Sequence, residues 1–239
     1  MATLPANNSF EGGSDETTIT TGNSGGASGT AFEVVTIGAG NALVFDTARA
    51  AHGSLSARID LGNNPATACL YGWTWTETTS AWGWIYLYIS SIFASPSTMR
   101  LIGFEQTGVG VGRILLQNDR AIQVTDKNFA HSASSTGLVP LDTWMRISWR
   151  ILCSATVGEI EARIYTGDST TPISGGTVQT TANADTGTGV NRGTYGCNAG
   201  WTGAPFTFWT DDANINSSGD FGPSVIPLKS TNWLSAVGW

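Results

Sequence analysis

The chain contains two histidines, His52 and His131, and histidine is the side chain best suited to move protons near neutral pH. Either one could act as the general base of a Ser/His/Asp set. Neither is accompanied by a nucleophile-elbow sequence, and the Gly53-Ser54 pair that follows His52 predicts a turn. The histidines therefore do not indicate nucleophilic catalysis.

Aromatic side chains recur at alternate positions of two segments, where they could stack on sugar rings or fill a core. Alternate residues of a strand share one face. The two aromatic rows comprise Trp73 and Trp75 on one segment, and Trp82, Trp84, Tyr86 and Tyr88 on the other. So many rings on adjacent strands exceed the needs of a sugar platform and favour a core or a protein interface. The candidates for carbohydrate binding are Trp73, Trp75 and Trp201.

The elements that must position these residues are predicted to be β-strands. Residues 81–90 are apolar on both faces and too short to span a membrane, which is typical of a central strand in a layered β-protein. Further strand candidates recur between turns from Ala31 to Asn214, and helical periodicity is almost absent. This pattern predicts an all-β sandwich or barrel.

Two neighbouring segments, Thr143–Leu152 and Glu159–Tyr165, alternate aliphatic with polar residues. If they pair as a hairpin, Arg146 and Arg150 lie beside acidic residues of the second strand. Each cross-strand ion pair of this kind contributes about 0.2–1 kcal/mol. We expect this charged face to be solvated and the aliphatic rows to face inward.

The composition excludes several classes of partner. Only 12% of the residues are charged and the net charge is −7, which disfavours a nucleic-acid partner. No window is long and apolar enough to span a bilayer, so we expect no membrane partner. The N-terminal residues lack the pattern of a secretory signal. We therefore expect synthesis in the cytoplasm, with release by lysis or within a particle.

The order of several short motifs resembles the concanavalin A-like lectin/glucanase superfamily, in its laminin-G-like jelly-roll branch. The resemblance covers about residues 8 to 223. The motifs that carry it are Asn8-Ser-Phe-Glu-Gly12, Ala51-His-Gly-Ser-Leu-Ser-Ala-Arg-Ile59, the segment from Trp82 to Ser90, Leu141-Asp-Thr-Trp-Met-Arg-Ile147, and Phe208-Trp-Thr-Asp-Asp-Ala-Asn-Ile-Asn216 leading to Gly222-Pro223. It implies a two-sheet antiparallel β-sandwich in which the first and last strands lie side by side.

The resemblance also bears on catalysis and on metal binding. Glycosidases of this superfamily carry a Glu-x-Asp-x-x-Glu strand motif, whereas this chain has Glu159-Ile-Glu161-Ala-Arg-Ile164, with an apolar residue in the acid/base position. Related carbohydrate-binding domains often hold calcium between the first and last strands. Here Glu11 with Asp211 or Asp212 could supply oxygen ligands for a structural calcium ion.

Domains of this type without a secretion signal resemble virion proteins of actinobacterial phages, so a non-catalytic phage structural protein is the first hypothesis. It would decorate the capsid or belong to the tail, would localise to the virion, and would contact capsid or tail proteins, as a homo-oligomer such as a trimer. A jelly roll over residues 1–223 would precede an apolar tail, 224–239. The tail would dock on its own domain or on a neighbour through Trp233, Leu234 and Trp239.

Two alternatives remain open. A lectin-like module would bind host-surface glycans, and a glycoside hydrolase or lyase would cleave a polysaccharide. Because the glycosidase motif is incomplete, we expect no catalytic residue and no enzymatic activity.

Overall fold

The computed structural model describes residues 1–62, 68–94, 98–198, 205–219 and 221–222. These residues form fifteen strands and no helix. The all-β prediction is therefore confirmed. The strands are β1 (Ala6–Asn8), β2 (Val34–Ile37), β3 (Ala42–Asp46), β4 (Ser56–Leu61), β5 (Cys69–Thr78), β6 (Ser80–Ile89), β7 (Thr98–Gln106), β8 (Val109–Gln117), β9 (Ala121–Asp126), β10 (Ser132–Leu138), β11 (Met145–Leu152), β12 (Glu159–Thr166), β13 (Thr177–Gln179), β14 (Val190–Asn198) and β15 (Phe206–Asn216).

Two antiparallel sheets stack face to face. The first sheet has the order β13-β12-β11-β6-β15-β4-β3, with β1 paired to β15, and the second has the order β10-β9-β8-β7-β14-β5-β2. The two-sheet β-sandwich is thus confirmed, including the adjacency of the first and last strands.

Strand β6 lies at the centre of the first sheet, between β11 and β15. Its aliphatic row, Ile85, Leu87 and Ile89, belongs to the core between the sheets, as period-two alternation requires. The opposite row lies on the outer face of the first sheet, here called the aromatic face. Its members from β6 are Trp82, Trp84, Tyr86 and Tyr88.

Strands β11 and β12 form the predicted hairpin, with Arg150 opposite Glu161 and Arg146 opposite Tyr165. The expectation that Arg146 is solvated is wrong, because its side chain is fully buried. The segment that follows β12 covers it: the guanidinium donates hydrogen bonds to the carbonyl oxygens of Gly167 and Ser169.

Strand β15 contains a bulge between Asp211 and Asn214. Asp212 has a φ of 44°, in the left-handed region that few non-glycine residues adopt. In a regular strand two consecutive side chains point to opposite faces. The bulge redirects one of them, so Asp211 and Asp212 both reach the loop that precedes β4.

Among the described residues, no helix is long and apolar enough to cross a membrane.

Candidate functional site

The loop between β3 and β4 carries His52 over the aromatic face, and two carboxylates hold it there. Asp211 Oδ2 accepts hydrogen bonds from the amides of Ala51 at 2.8 Å and His52 at 3.2 Å. Glu11 accepts three more, from the amides of Ser54 and Leu55 and from the Ser54 hydroxyl. The backbone on both sides of the imidazole is therefore anchored.

Gly53 lies between the two anchors and cannot be replaced without strain. Its φ is 68°, and a Cβ at this position would lie 2.3 Å from Glu11 Oε1. Only glycine combines this backbone conformation with so close an approach. The turn predicted from Gly53-Ser54 is the feature that presents His52.

The imidazole of His52 contacts three side chains from three different elements. Its Nδ1 forms a short hydrogen bond with Asp212 Oδ2, and its Nε2 lies 3.1 Å from Asp168 Oδ2. The rings of His52 and Tyr86 make an edge-to-face contact, with their centroids 4.9 Å apart and their planes at 86°. The phenol of Tyr86 in turn donates a short hydrogen bond to Asp168 Oδ1. An imidazole, a phenol and a carboxylate that bridges them therefore meet at one point.

The two carboxylates around His52 differ in exposure. The side chain of Asp212 is 3% exposed, whereas that of Asp168 is 63% exposed. The hydrogen bond to Asp212 raises the pKa of His52 to about 9, against the effect of burial and with help from the bond to Asp168. At neutral pH the ring is therefore an imidazolium held between two carboxylates.

Neighbouring groups tune the other members of the cluster. Burial, helped by the bond to Asp168 and opposed by Arg146, raises the pKa of Tyr86. Burial and the nearby Asp212 raise the pKa of Asp211 well above its ordinary value. Burial opposes the shift of Asp168, but the hydrogen bonds from Tyr86 and His52 outweigh it and lower the pKa of that carboxyl. Perturbed groups gathered at a partly open surface are typical of functional sites.

Arg146 lies beside this cluster, opposite Tyr86 in the register of β11 and β6. Its guanidinium carbon lies 4.3 Å from the centroid of the Tyr165 ring. Its Nε donates to Ser148 Oγ at 3.2 Å. A buried cation thus stands next to the imidazole–phenol pair.

Comparison with known proteins places the fold. No protein-family model matches the chain, and no significant match exists among curated proteins. Solved structures do resemble it. The endo-β-1,4-glucuronan lyase of the fungus Trichoderma reesei matches with a TM-score of 0.57 and 11% identity, over 78% of this chain and 91% of the lyase.

Two further structures match at a similar level. The cellulose induced protein Cip1 has a TM-score of 0.62 and 17% identity, over 89% of this chain and 97% of its own. The alginate lyase vAL-1 from Chlorella virus has a TM-score of 0.54 and 7% identity, over 78% and 92%. The chain has a concanavalin A-like jelly-roll fold. The fold implied by the sequence motifs is thereby confirmed.

The same comparison corrects the functional hypothesis. Two of these jelly-roll neighbours are polysaccharide lyases. The expectations of a non-catalytic virion protein and of no enzymatic activity are contradicted by this finding and are not retained. The reason for the error is local: the missing glycosidase motif excludes one pair of residues, not every catalytic use of the outer face.

Two of the three candidate carbohydrate-binding residues lie in the core, the placement that the number of aromatic rings favoured. Trp73 and Trp75 are buried in the core between the sheets, so neither ring offers a surface to a sugar. The rings of Trp82, Trp84, Tyr86 and Tyr88 face away from that core instead. Trp201 and the predicted assembly residues Trp233, Leu234 and Trp239 lie outside the described residues.

The predicted calcium ligands do not come together as one set of ligand atoms. Glu11 and Asp211 accept hydrogen bonds from the backbone at opposite ends of the His52 loop, and Asp212 binds the imidazole. In the described ranges, the one cluster of at least three acidic, histidine or cysteine ligand atoms is Asp15, Glu16 and Asp46. Arg58 forms ion pairs with Glu16 and Asp46. The calcium ion stays a prediction.

The carboxylates of the incomplete glycosidase motif are engaged with cations. Glu161 forms ion pairs with Arg150 at 2.9 Å and Arg163 at 2.5 Å, and Glu159 pairs with Arg150. The cross-strand pairs predicted for Arg150 are present, whereas Arg146 lies opposite Tyr165 and has no acidic partner on β12. The ion pairs leave these two glutamates in a salt-bridge network rather than in an open acid pair.

Sequence reasoning missed the cluster of His52, Tyr86, Asp168, Asp211 and Asp212 as a unit. One signal was visible: two consecutive aspartates in a segment that otherwise alternates, which conflicts with a regular strand. The contact between His52 and Asp168 spans 116 residues, and no local pattern encodes it.

Proposed function

We propose that this chain cleaves an acidic polysaccharide by β-elimination, with His52 as the general base and Tyr86 as the general acid. The observation that carries the proposal is the contact between imidazole and phenol around one exposed carboxylate, Asp168, on the outer face of the first sheet. The resemblance to lyases named for glucuronan and alginate supports this reaction class. Both of those polymers consist of uronic acids.

β-Elimination at a uronic acid needs one base and one acid. The base removes the proton at C5, which is acidified by the adjacent carboxyl group. The electron pair of that C–H bond forms a double bond between C4 and C5, and the C4–O bond to the neighbouring sugar breaks. The departing oxygen takes a proton from the acid. No water is consumed, and the new chain end carries a conjugated double bond.

His52 has the geometry of a base whose orientation is fixed. Asp212 holds Nδ1, so Nε2 points toward the exposed side of the cluster, where Asp168 lies. A buried carboxylate behind the ring also stabilises the imidazolium that forms when the ring takes a proton. Because the pKa of His52 is about 9 in the absence of substrate, the unprotonated fraction of His52 increases as the pH rises toward that value.

Tyr86 is suited to the opposite role. Its raised pKa keeps the phenol protonated, so it can donate a proton to the departing oxygen. Arg146 adds positive charge next to it. Charge placed where an anion develops stabilises the transition state, and here the anion is the enolate form of the uronate carboxyl group.

The experiment that tests the proposal compares acidic with neutral polymers. The protein is incubated with glucuronan, with alginate and with a neutral β-glucan, and ultraviolet absorbance is followed together with new reducing ends. We expect both signals to rise together on at least one acidic polymer and neither to rise on the β-glucan. Reducing ends without absorbance, or cleavage of the neutral polymer, would replace elimination by hydrolysis. Silence on both acidic polymers would reject the proposal.

A further inference from the structure

The exposed carboxylate at the centre of the site belongs to the chain itself. Asp168 lies in the loop between β12 and β13, and both of its oxygens are bound to the proposed acid and base: Oδ1 to Tyr86 and Oδ2 to His52. While these bonds persist, the Tyr86 phenol cannot donate its proton to a sugar oxygen and Nε2 of His52 cannot approach a sugar carbon.

Gly167 and Ser169, the residues on either side of Asp168, accept hydrogen bonds from the neighbouring cation. Arg146 Nη1 donates to the carbonyl of Gly167 at 3.3 Å, and Nη2 donates to the carbonyl of Ser169 at 2.9 Å. These three consecutive residues therefore form hydrogen bonds with Arg146, Tyr86 and His52. A guanidinium with two outward N–H groups is the usual partner of a carboxylate.

Asp168 and Asp212 differ in how firmly the surrounding structure holds them in place. Asp212 is on a sheet strand, within a bulge, and almost fully buried. Asp168 is on a loop, and most of its side chain is exposed to solvent. Gly167, which precedes it, has a φ of 46°, and a Cβ there would meet nothing within 4 Å. The loop thus has open space around its entry into the site, whereas the strand carrying Asp212 is fixed by pairing on both sides.

We propose that Gly167–Ser169 is a built-in occupant of the site, which the carboxylate of an acidic sugar polymer displaces. Departure of the two carbonyls frees Arg146 to bind the uronate carboxylate. Departure of Asp168 frees Tyr86 and His52 for proton transfer. One movement thus couples recognition of the anionic group to release of the acid and the base. A neutral polymer offers Arg146 only hydroxyl oxygens, which are weaker acceptors than a carboxylate. This inference rests on the proposed function for the identity of the anion.

The test removes the internal competitor and measures binding of an anion that cannot be cleaved. D-Glucuronate, a monosaccharide without a glycosidic bond, is titrated into the wild-type protein and into the variants Asp168→Ala and Asp168→Asn, the second of which keeps the size of the side chain. Asp142→Asn is the matched control, because Asp142 is also exposed and also accepts a hydrogen bond from a tyrosine of β6, Tyr88, at 3.1 Å.

We expect both Asp168 variants to bind glucuronate about tenfold more tightly than the wild type, since hydrogen bonds to a charged competitor are lost. Asp142→Asn should bind like the wild type. Equal or weaker binding in both Asp168 variants would overturn the inference. So would a loss of kcat on a polymer with unchanged KM, which would make Asp168 a catalytic residue. Tighter binding of glucuronate without cleavage of any polymer would support the displaced loop and reject the proposed reaction, so the two failures are distinguishable.

Discussion

The two histidines of this chain occupy similar pairs with different surroundings. His131 Nδ1 lies 2.9 Å from Asp126 Oδ2, and His52 Nδ1 binds Asp212. In both pairs the aspartate is buried and the imidazole is about one-third exposed. Neither a carboxylate partner nor partial exposure therefore separates the two.

The difference lies beyond the far side of each ring. The ring of His52 also contacts Asp168 and Tyr86. For His131, Asp126 is the only hydrogen-bond partner of the ring within the part of the chain that the structure describes. Asp126 also accepts hydrogen bonds from the backbone amides of Ala130 and Asp185. It therefore holds chain segments together near the edge of the second sheet. A histidine–aspartate pair becomes a candidate for catalysis only where a proton donor and an open face adjoin it.

The largest effect that distinguishes the two pairs is loss of activity. We expect His52→Ala to lower kcat/KM on the acidic polymer by about 10³-fold, within the range that general acid–base catalysis supplies. His131→Ala should leave it near the wild-type value. Initial rates of absorbance increase measure both, and equal losses in the two variants would remove the distinction.

Tyr86→Phe tests the acid and should cost less, about 10²-fold in kcat, because water can protonate the departing oxygen in place of the phenol. The control is Tyr88→Phe on the same strand and the same face, which also loses one hydroxyl. If kcat falls as far in Tyr88→Phe as in Tyr86→Phe, the effect belongs to the aromatic face as a whole rather than to the hydroxyl beside His52.

The pH dependence tests the partner of each histidine. Since the unprotonated ring is the base, kcat/KM should rise with pH and level off above about 9. Asp212→Asn removes the hydrogen bond that contributes most to this pKa, so its profile should shift to lower pH. Asp126→Asn should retain the wild-type profile. An unshifted profile in Asp212→Asn would exclude His52 as the titrating base.

Gly53→Ala should give the smallest effect and act through the loop alone. The added Cβ meets Glu11 in a left-handed backbone conformation, a strain on the order of 1–3 kcal/mol. Urea unfolding should reveal a loss of stability of this size. The control Gly22→Ala adds a methyl group whose closest neighbour is 3.7 Å away, and it should unfold like the wild type. Equal stability of both variants would contradict the anchoring of the His52 loop.

The sequence was sufficient for the architecture of this molecule. Strand β6 has apolar side chains on both faces, and the opposite charges of β11 and β12 indicated that these two strands pair. Those features depend on alternation within one segment, which is a local property. The same alternation could not tell which aromatic row faces the core, so Trp73 and Trp75, which are buried, stayed candidates for sugar binding.

The site could be predicted only in fragments. His52 was assigned correctly to a turn but without partners, and Asp211 and Asp212 were considered as calcium ligands. Their actual contacts depend on a bulge in β15 and on a loop from β12, which bring together residues far apart in the chain. Such contacts arise from tertiary packing, so no spacing in the sequence encodes them.

The most direct test of the account is the mass of the oligosaccharides released from glucuronan in oxygen-labelled water. Elimination by His52 and Tyr86 predicts unsaturated fragments, each lighter by one water than a hydrolysis product, without label from the solvent, and absent with His52→Ala. Saturated fragments that carry the solvent label would contradict the account.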